Sequence, residues 1–277
     1  MNLDTLRSDG YVSVAYPASL RPIVAQAMKS WQEFCTLPDE KKRLLSGGDR
    51  LKDLGYMRRQ DVGQRADNKE LFHAKLSTLG TLSERVKAVG DWRALRFMYA
   101  TSELLVATLP LIREFAMGIE KHFGLHGFAE EVERSQQHWT FRYLHYLGGD
   151  MLAHPHADRG GITFHMYEDA PGGEYLTLSG NQWRGWPVDH ERTIIFPSMG
   201  LQYRSQGKLK ALWHQVVPTP QTRVTGRYSM VAFIDFAMGH RYNDAVKRLQ
   251  DFDPGFNYSM SQHEFEGLFI PAESQTV

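Results

Sequence analysis

Residues 151–167 read Met151-Leu152-Ala153-His154-Pro155-His156-Ala157-Asp158-Arg159-Gly160-Gly161-Ile162-Thr163-Phe164-His165-Met166-Tyr167. The spacing predicts one strand over Met151–Asp158, a turn through Gly160 and Gly161, and a second strand over Thr163–Tyr167. The same texture extends in both directions. Short runs rich in Thr, Tyr, Phe, Ile and Val predict strands at Gln137–Tyr146, Glu174–Ser179, Thr193–Phe196, Trp213–Val217 and Arg227–Asp235, separated by Gly, Pro, Asp and Asn clusters. Several short strands at regular spacing imply a sandwich or barrel.

Upstream the pattern changes. Gly10–Tyr16 alternates as a short strand. Pro17 and Ser19 then open a helix to about Phe34, and Pro38 starts a second one. Ser46 to about Gly55 reads as a loop. Thr81 to about Phe123 reads as largely helical. Leu95, Met98, Tyr99, Leu105, Leu109 and Ile112 supply the apolar stripe, and Pro110 is expected to kink it. The expected organisation is one unit without a linker. It has a mainly helical part (1–136), a β core (137–239) and a helical tail (240–277), an α+β chain with a mainly β core. The tail's Phe252, Phe256, Phe265, Leu268 and Phe269 must pack somewhere, either outside the sheet or over the barrel's open end.

Composition narrows the partners. Of 277 residues, 32 are Lys or Arg and 32 are Asp or Glu, so the formal net charge is zero. Nucleic-acid binding calls for a basic excess or stripe, and neither is found. Cys35 is the only cysteine, which excludes an intramolecular disulfide and suits a reducing cytoplasm. Met1–Tyr16 lacks the apolar run of a signal peptide, and no continuous apolar stretch approaches the roughly 18 residues of a membrane span.

His156 and Asp158, two apart on a strand, share a face and can occupy adjacent positions on a metal. A further His would complete the two-His, one-carboxylate set that suits non-haem Fe(II). His214 in Trp213–Val217 is the candidate. His154 shares the parity of His156, so the pair His154 and His156 stays open as an alternative. Arg227 and Ser229 also share a face, and a guanidinium fork beside a hydroxyl suits a carboxylate. Arg223 competes for that role from a loop. His138, His145 and His165 read as structural, with His145 also placed to face a cavity. Trp183 and Trp186 read as packing.

In this order, His156-x-Asp158-x-Gly160-x-x-Thr163, then His214, then Arg227-x-Ser229 resemble the isopenicillin N synthase-like branch of the Fe(II)/2-oxoglutarate-dependent dioxygenases. Asp9–Val12, Phe34–Lys41, Gly55-Tyr56, Asp67–Phe72, Gly172-Gly173 and Gly185-Trp186 look like further signatures of that family. The resemblance implies a double-stranded β-helix, or jelly roll, with iron inside one end. It implies His156, Asp158 and His214 as iron ligands, and Arg227, Ser229 and Tyr146 as contacts of 2-oxoglutarate. The sequence departs from the pattern at Leu144 and Leu147, where many members have Asn and Pro. The implied activity oxidises a C–H bond of a small molecule with dioxygen, releasing succinate and CO2. Relatives that use ascorbate or no 2-oxo acid keep an oxidase reading open, as does a non-catalytic metal-binding jelly roll.

Overall fold

The structure, a computed structural model, describes residues 1–47, 54–59, 68–149, 153–178 and 182–236. The expected helical tail, 240–277, lies outside these residues. The chain begins with α1 (Thr5–Ser8), β1 (Val12–Ala15), α2 (Leu20–Cys35) and α3 (Asp39–Arg43). There follow β2 (Gly55–Arg59), β3 (Lys69–Ala74), α4 (Leu79–Val89), α5 (Trp92–Phe123) and α6 (Phe128–Arg134). The remainder is β4 (Thr140–Tyr146), β5 (Ala153–His156), β6 (Ile162–Glu168), β7 (Gly173–Leu176), β8 (Trp183–Gly185), β9 (Arg192–Pro197), α7 (Met199–Arg204), β10 (His214–Val216), α8 (Thr222–Thr225) and β11 (Arg227–Ile234).

The strands form two antiparallel sheets. One has seven strands in the order β1-β9-β6-β11-β4-β3-β2, and the other four in the order β5-β10-β7-β8. This is the jelly-roll arrangement expected of the strand run, with two sheets facing one another. Side chains alternate between the two faces along β11 and β4 of the large sheet. On β11, Met230, Ala232 and Ile234 point outward into the main apolar core, while Arg227, Ser229, Val231 and Phe233 line a cavity. On β4, Phe141 and Tyr143 face the core, and Thr140, Arg142, Leu144 and Tyr146 face the cavity.

Helices α2 and α5 cover the outer face. Trp31 of α2 packs among Phe34, Phe72, Phe97 and Tyr143, with ring centroids 5.3–6.4 Å away. Its indole Nε1 donates to the Leu144 carbonyl at 3.2 Å, which pins the helix to β4. The Tyr16 hydroxyl donates to the Met166 carbonyl at 2.6 Å and ties the entry of α2 to β6. These two bonds satisfy the Trp31 and Tyr16 donors buried on this face.

Several expectations need correcting. The mainly helical 1–136 part also holds β2 and β3, strands not expected from the sequence, which extend the large sheet on the far side of β4. The helical stretch breaks at Gly90, where the backbone turns left-handed (φ 61°), and Asp91 caps the next helix by accepting from the Arg93 N–H. α5 continues through Pro110. Its buried stripe includes Ala94, Phe97, Thr101, Leu104, Leu111 and Phe115, whereas Leu95 and Tyr99 are exposed. Met98, Leu105 and Ile112 of the expected stripe are buried and Leu109 packs against the core, so the stripe fails only at Leu95 and Tyr99, which share the helical period from the solvent side. One window of α5 is long and apolar enough to cross a membrane by length and composition, and half of that window is buried inside the protein. The expected first core strand begins at Thr140, since 136–138 form a 3₁₀ turn.

Candidate active site

The iron-ligand candidates stand on the small sheet and the turn beside it. His214 on β10 lies opposite His156 on β5, while Val216 lies opposite Ala153. A step of two residues on β10 thus matches a step of three on β5, an irregularity of the bulge type. Ala153 and His156 both line the cavity as a result, and His154 does not. This removes the His154–His156 alternative, which assumed an unbroken two-residue period. Asp158 follows β5 rather than lying on it. Its position comes from the turn. The Met199 N–H donates to the Asp158 carbonyl at 2.8 Å, and the Gly200 N–H donates to the Gly160 carbonyl at 2.7 Å. Gly160 and Gly161 are required by close approach. A Cβ at Gly160 would lie 2.5 Å from Asp235 Oδ1, and one at Gly161 would lie 2.5 Å from the Ile234 carbonyl.

The two imidazoles are oriented by backbone carbonyls. His156 Nδ1 is 2.7 Å from the His154 carbonyl, and His214 Nδ1 is 3.1 Å from the Leu212 carbonyl. A carbonyl only accepts, so each Nδ1 carries the hydrogen and each Nε2 keeps its lone pair. Those Nε2 atoms lie 3.7 Å and 3.8 Å from the two carboxylate oxygens of Asp158. The three groups offer ligand atoms within 4.8 Å of one another. Asp158 is held in turn, because the Thr163 hydroxyl donates to its Oδ2 at 2.6 Å and meets the Ser198 hydroxyl at 3.0 Å. Burial, then neighbouring His214, holds His156 below the usual imidazole range. Burial pushes the Asp158 carboxyl up, but His214, His156 and the Thr163 bond outweigh it and hold it down. Neutral imidazoles and an ionised carboxylate are the forms that bind a divalent metal. Two imidazole nitrogens and a carboxylate, with carbonyls and a hydroxyl behind them, fit Fe(II).

A second group of polar residues sits at the start of β11. Arg227 is 1 % exposed, and Ser229 is buried on the same face. The Arg227 Nε donates to the Ala170 carbonyl at 2.9 Å. One side of its fork pairs with Glu168, while Nη1 is buried without a hydrogen-bond partner among the described residues. Burial lowers the guanidinium to about 10, so it remains charged at neutral pH. A buried, charged nitrogen left over beside a serine hydroxyl fits a carboxylate. Tyr146 lies opposite Arg227 in the sheet register and lines the same cavity, of about 470 Å³.

Other expectations resolve differently. His145 does not face the cavity. It lies on the outer face of β4, where its Nδ1 is 2.7 Å from Glu70 and its ring stacks on Tyr228. Arg223 is not among the cavity-lining residues, whereas His165 is. Trp186 packs as expected, on Gly173, where a Cβ would lie 2.3 Å from the indole nitrogen, but it also lines the cavity. Sequence reasoning missed Glu168 and Arg142. Arg142 was visible in the two-residue alternation with Leu144 and Tyr146. Glu168 was hidden by a register shift between β6 and β11, which brings both His165 and Glu168 to the inner face.

Comparison with known proteins agrees with this geometry. Residues 135–236 match the family model of the 2OG-Fe(II) oxygenase superfamily. The 2-oxoglutarate-dependent dioxygenase citB of Monascus ruber is 23 % identical over 245 residues, 84 % of this chain and 68 % of that protein. Among solved structures, dioxygenase for auxin oxidation 1 of Arabidopsis thaliana, determined with 2-oxoglutarate, superposes with a TM-score of 0.68 at 18 % identity, covering 84 % of this chain and 85 % of that one. A 2OG-Fe(II) oxygenase family protein of Caulobacter crescentus gives 0.69 at 22 % identity, covering 84 % and 79 %. Residues 135–236 thus carry the 2OG-Fe(II) oxygenase domain of this chain. The chain is a 2-oxoglutarate-dependent dioxygenase, and the cofactors of its class are Fe(II) and 2-oxoglutarate.

Proposed function

We propose that His156, Asp158 and His214 hold the Fe(II), and that Arg227, Ser229 and Tyr146 bind the far carboxylate of 2-oxoglutarate. The observation that carries this reading is the pair of Nδ1–carbonyl bonds, which leave both Nε2 lone pairs beside the Asp158 carboxylate. When bound, Fe(II) with 2-oxoglutarate supplies the activation of dioxygen and the oxidation of a substrate C–H bond, with release of succinate and CO2. The chain's own work is positioning. Thr163 fixes the carboxylate, the two carbonyls fix the rings, and Arg227 fixes the direction in which the co-substrate lies. Val231, Phe233, Phe196 and Trp186 give the cavity apolar walls, which limit the access of water.

The working partners in this reading are a small organic molecule and dioxygen. A relative named for auxin oxidation acts within the same fold. The balanced charge argues against nucleic acid, and the single cysteine suits the cytoplasm. The test is anaerobic titration of the apoprotein with Fe(II), followed by assay of succinate formed from 2-oxoglutarate. One Fe(II) per chain is expected, with most binding lost in His214→Ala. Wild-type affinity and turnover in His214→Ala would overturn the ligand assignment. Full activity without any 2-oxo acid would overturn the role given to Arg227.

A further inference from the structure

Helix α5 buries one face against α2 and the large sheet, and its opposite face is uncovered among the described residues. Trp92, Leu95, Tyr99, Val106, Pro110 and Met117 are all exposed there, and Glu103 and Arg113 fill the gaps between them at helical spacing. At 3.6 residues per turn these positions fall in one stripe roughly 80° wide. Tyr99 is 73 % exposed, Met117 64 % and Trp92 60 %. Among the described residues, five of the nine exposed large hydrophobic side chains stand on this one face. Single apolar residues scattered on a surface need no explanation, but a row of them along one helix marks an interaction site.

The charges on the stripe say what fits it. Glu103 is exposed and has no ion pair among the described residues. Arg113 is steadied by Glu133 at 2.7 Å, yet its side chain is still 45 % exposed, and a guanidinium has donors for a second carboxylate. Two α5 helices paired in parallel about a two-fold axis would set Glu103 against Glu103 and Arg113 against Arg113. An antiparallel pairing centred level with Thr108 sets Glu103 of each copy against Arg113 of the other, because the two residues are equidistant from Thr108 in sequence. The same centre sets Val106 against Pro110 and Tyr99 against Met117, which are also equidistant from it. A single register thus matches charge with opposite charge and apolar with apolar, as a self-complementary interface requires. A lipid surface fits less well. The stripe carries one acid and one base, and the neighbouring Arg93 and Arg96 are already engaged by Asp91 and Glu33.

We propose that this face of α5 is a self-association surface, on which a second copy of the chain packs antiparallel about a two-fold axis level with Thr108. From Trp92 to Met117 the stripe runs for about 38 Å at ~1.5 Å per residue. Side-by-side packing over that length removes on the order of 1,000 Å² in total, which places the contact among reversible interfaces rather than obligate ones.

The test is sedimentation velocity of the full chain between about 1 and 200 μM, where an interface of this size should pass from monomer to dimer. Tyr99→Lys and Val106→Lys should each weaken the dimer by tenfold or more with the melting temperature unchanged. Glu103→Arg alone and Arg113→Glu alone should each stay monomeric, since each sets like charges against one another at both ends of the stripe. Mixed together, these two variants should form a heterodimer, because every pair across the axis is then opposite in sign. A mixture that stays monomeric would overturn the antiparallel arrangement and the proposal with it. Wild type that is monomeric throughout, or a dimer indifferent to Tyr99→Lys and Val106→Lys, would equally overturn it. A monomer that sediments with phosphatidylglycerol vesicles would give the face to lipid. A monomer destabilised by Val106→Lys would give it to the chain's own residues beyond the described ones. Both outcomes reject a second copy as the occupant.

Discussion

Glu168 and Arg227 form an ion pair whose side chains are 4 % and 0 % exposed, on the inner face of the large sheet. His165 Nε2 lies 3.2 Å from the same carboxylate oxygen of Glu168. Burial, then the nearby Arg227 charge, pushes His165 down to about 3, so at neutral pH it is an uncharged donor to Glu168. The guanidinium proposed to bind the co-substrate is thus already half engaged by the protein. Removing one partner of a buried pair leaves an uncompensated charge, at a cost of roughly 3–5 kcal/mol.

Glu168→Gln should therefore destabilise the protein without co-substrate, and 2-oxoglutarate should restore much of the loss by supplying the missing carboxylate. The Kd for 2-oxoglutarate should fall by on the order of tenfold, because Arg227 no longer has a competing anion. Arg227→Ala should shift the same Kd upward by a similar factor. Melting curves with and without 2-oxoglutarate, and titration of the Mn(II)-loaded protein, measure both effects. An unchanged Kd in Glu168→Gln would show that Glu168 does not compete.

Thr163 is predicted to act on the metal through Asp158. Its hydroxyl donates to the carboxylate at 2.6 Å, and the residue is 1 % exposed. Partners behind a ligand typically contribute 10–100-fold in metal affinity. Thr163→Val should weaken Fe(II) binding by about that factor, while Thr163→Ser, which keeps the donor, should retain most of it. Competition against a chelator of known affinity separates the two variants. Equal affinities in both would assign Thr163 to packing.

The parts of this protein written in local patterns were legible from its sequence. Alternation around Phe141 and Tyr143 placed β4, and the two glycines after Asp158 placed the turn into β6. What escaped depended on pairing. β2 and β3 carry few β-branched residues and join the sheet only because β4 offers an edge for them. The irregular step between β5 and β10 decides that His156 and not His154 enters the cavity, and no two-residue period reveals such a step. Glu168 was hidden for the same reason. On α5 the error was confined to Leu95 and Tyr99, apolar residues that lie on the solvent side and resemble core positions by spacing alone, while Met98, Leu105 and Ile112 are buried.

Trp31 tests the outer face separately from the site. It is fully buried, stacks on Phe34 at 5.5 Å between centroids, and donates to the Leu144 carbonyl. Trp31→Ala creates a cavity between α2 and the sheet and removes the bond to that carbonyl. A loss of roughly 3–5 kcal/mol is expected in urea unfolding. Trp31→Phe should lose less. Because the residue lies on the opposite side of β4 from the cavity, the Fe(II) affinity of whatever fraction remains folded should be unaltered. A parallel fall in metal affinity would show that the helical layer shapes the site as well as supporting it.

The final prediction concerns acid stability and rests on Glu70, on the outer face of β3. Its carboxylate is 2 % exposed and meets Lys42 Nζ at 2.7 Å, the Tyr56 hydroxyl at 2.9 Å and His145 Nδ1 at 2.7 Å. Burial pushes this carboxyl up, but the bonds from His145, Lys42 and Tyr56 outweigh it and bring it down from 4.5 to about 2. The folded chain then holds this proton less readily than the unfolded chain does. Above pH 4.5 the stabilisation is complete. As the pH falls from 4.5 towards 2 the unfolded state protonates first, so stability declines, and below about 2 no further loss comes from this group. A shift of this size corresponds to at most about 3 kcal/mol. Urea unfolding midpoints of the metal-free protein, measured across that pH range, should fall with pH in the wild type. In Glu70→Gln the protein should be less stable at neutral pH and the slope between pH 4.5 and 2 should be reduced. The metal-free form is needed because acid also releases iron from histidine ligands. A variant with the wild-type slope would mean that the acid limb is set by other carboxylates and that the Glu70 cluster is held together mainly by packing.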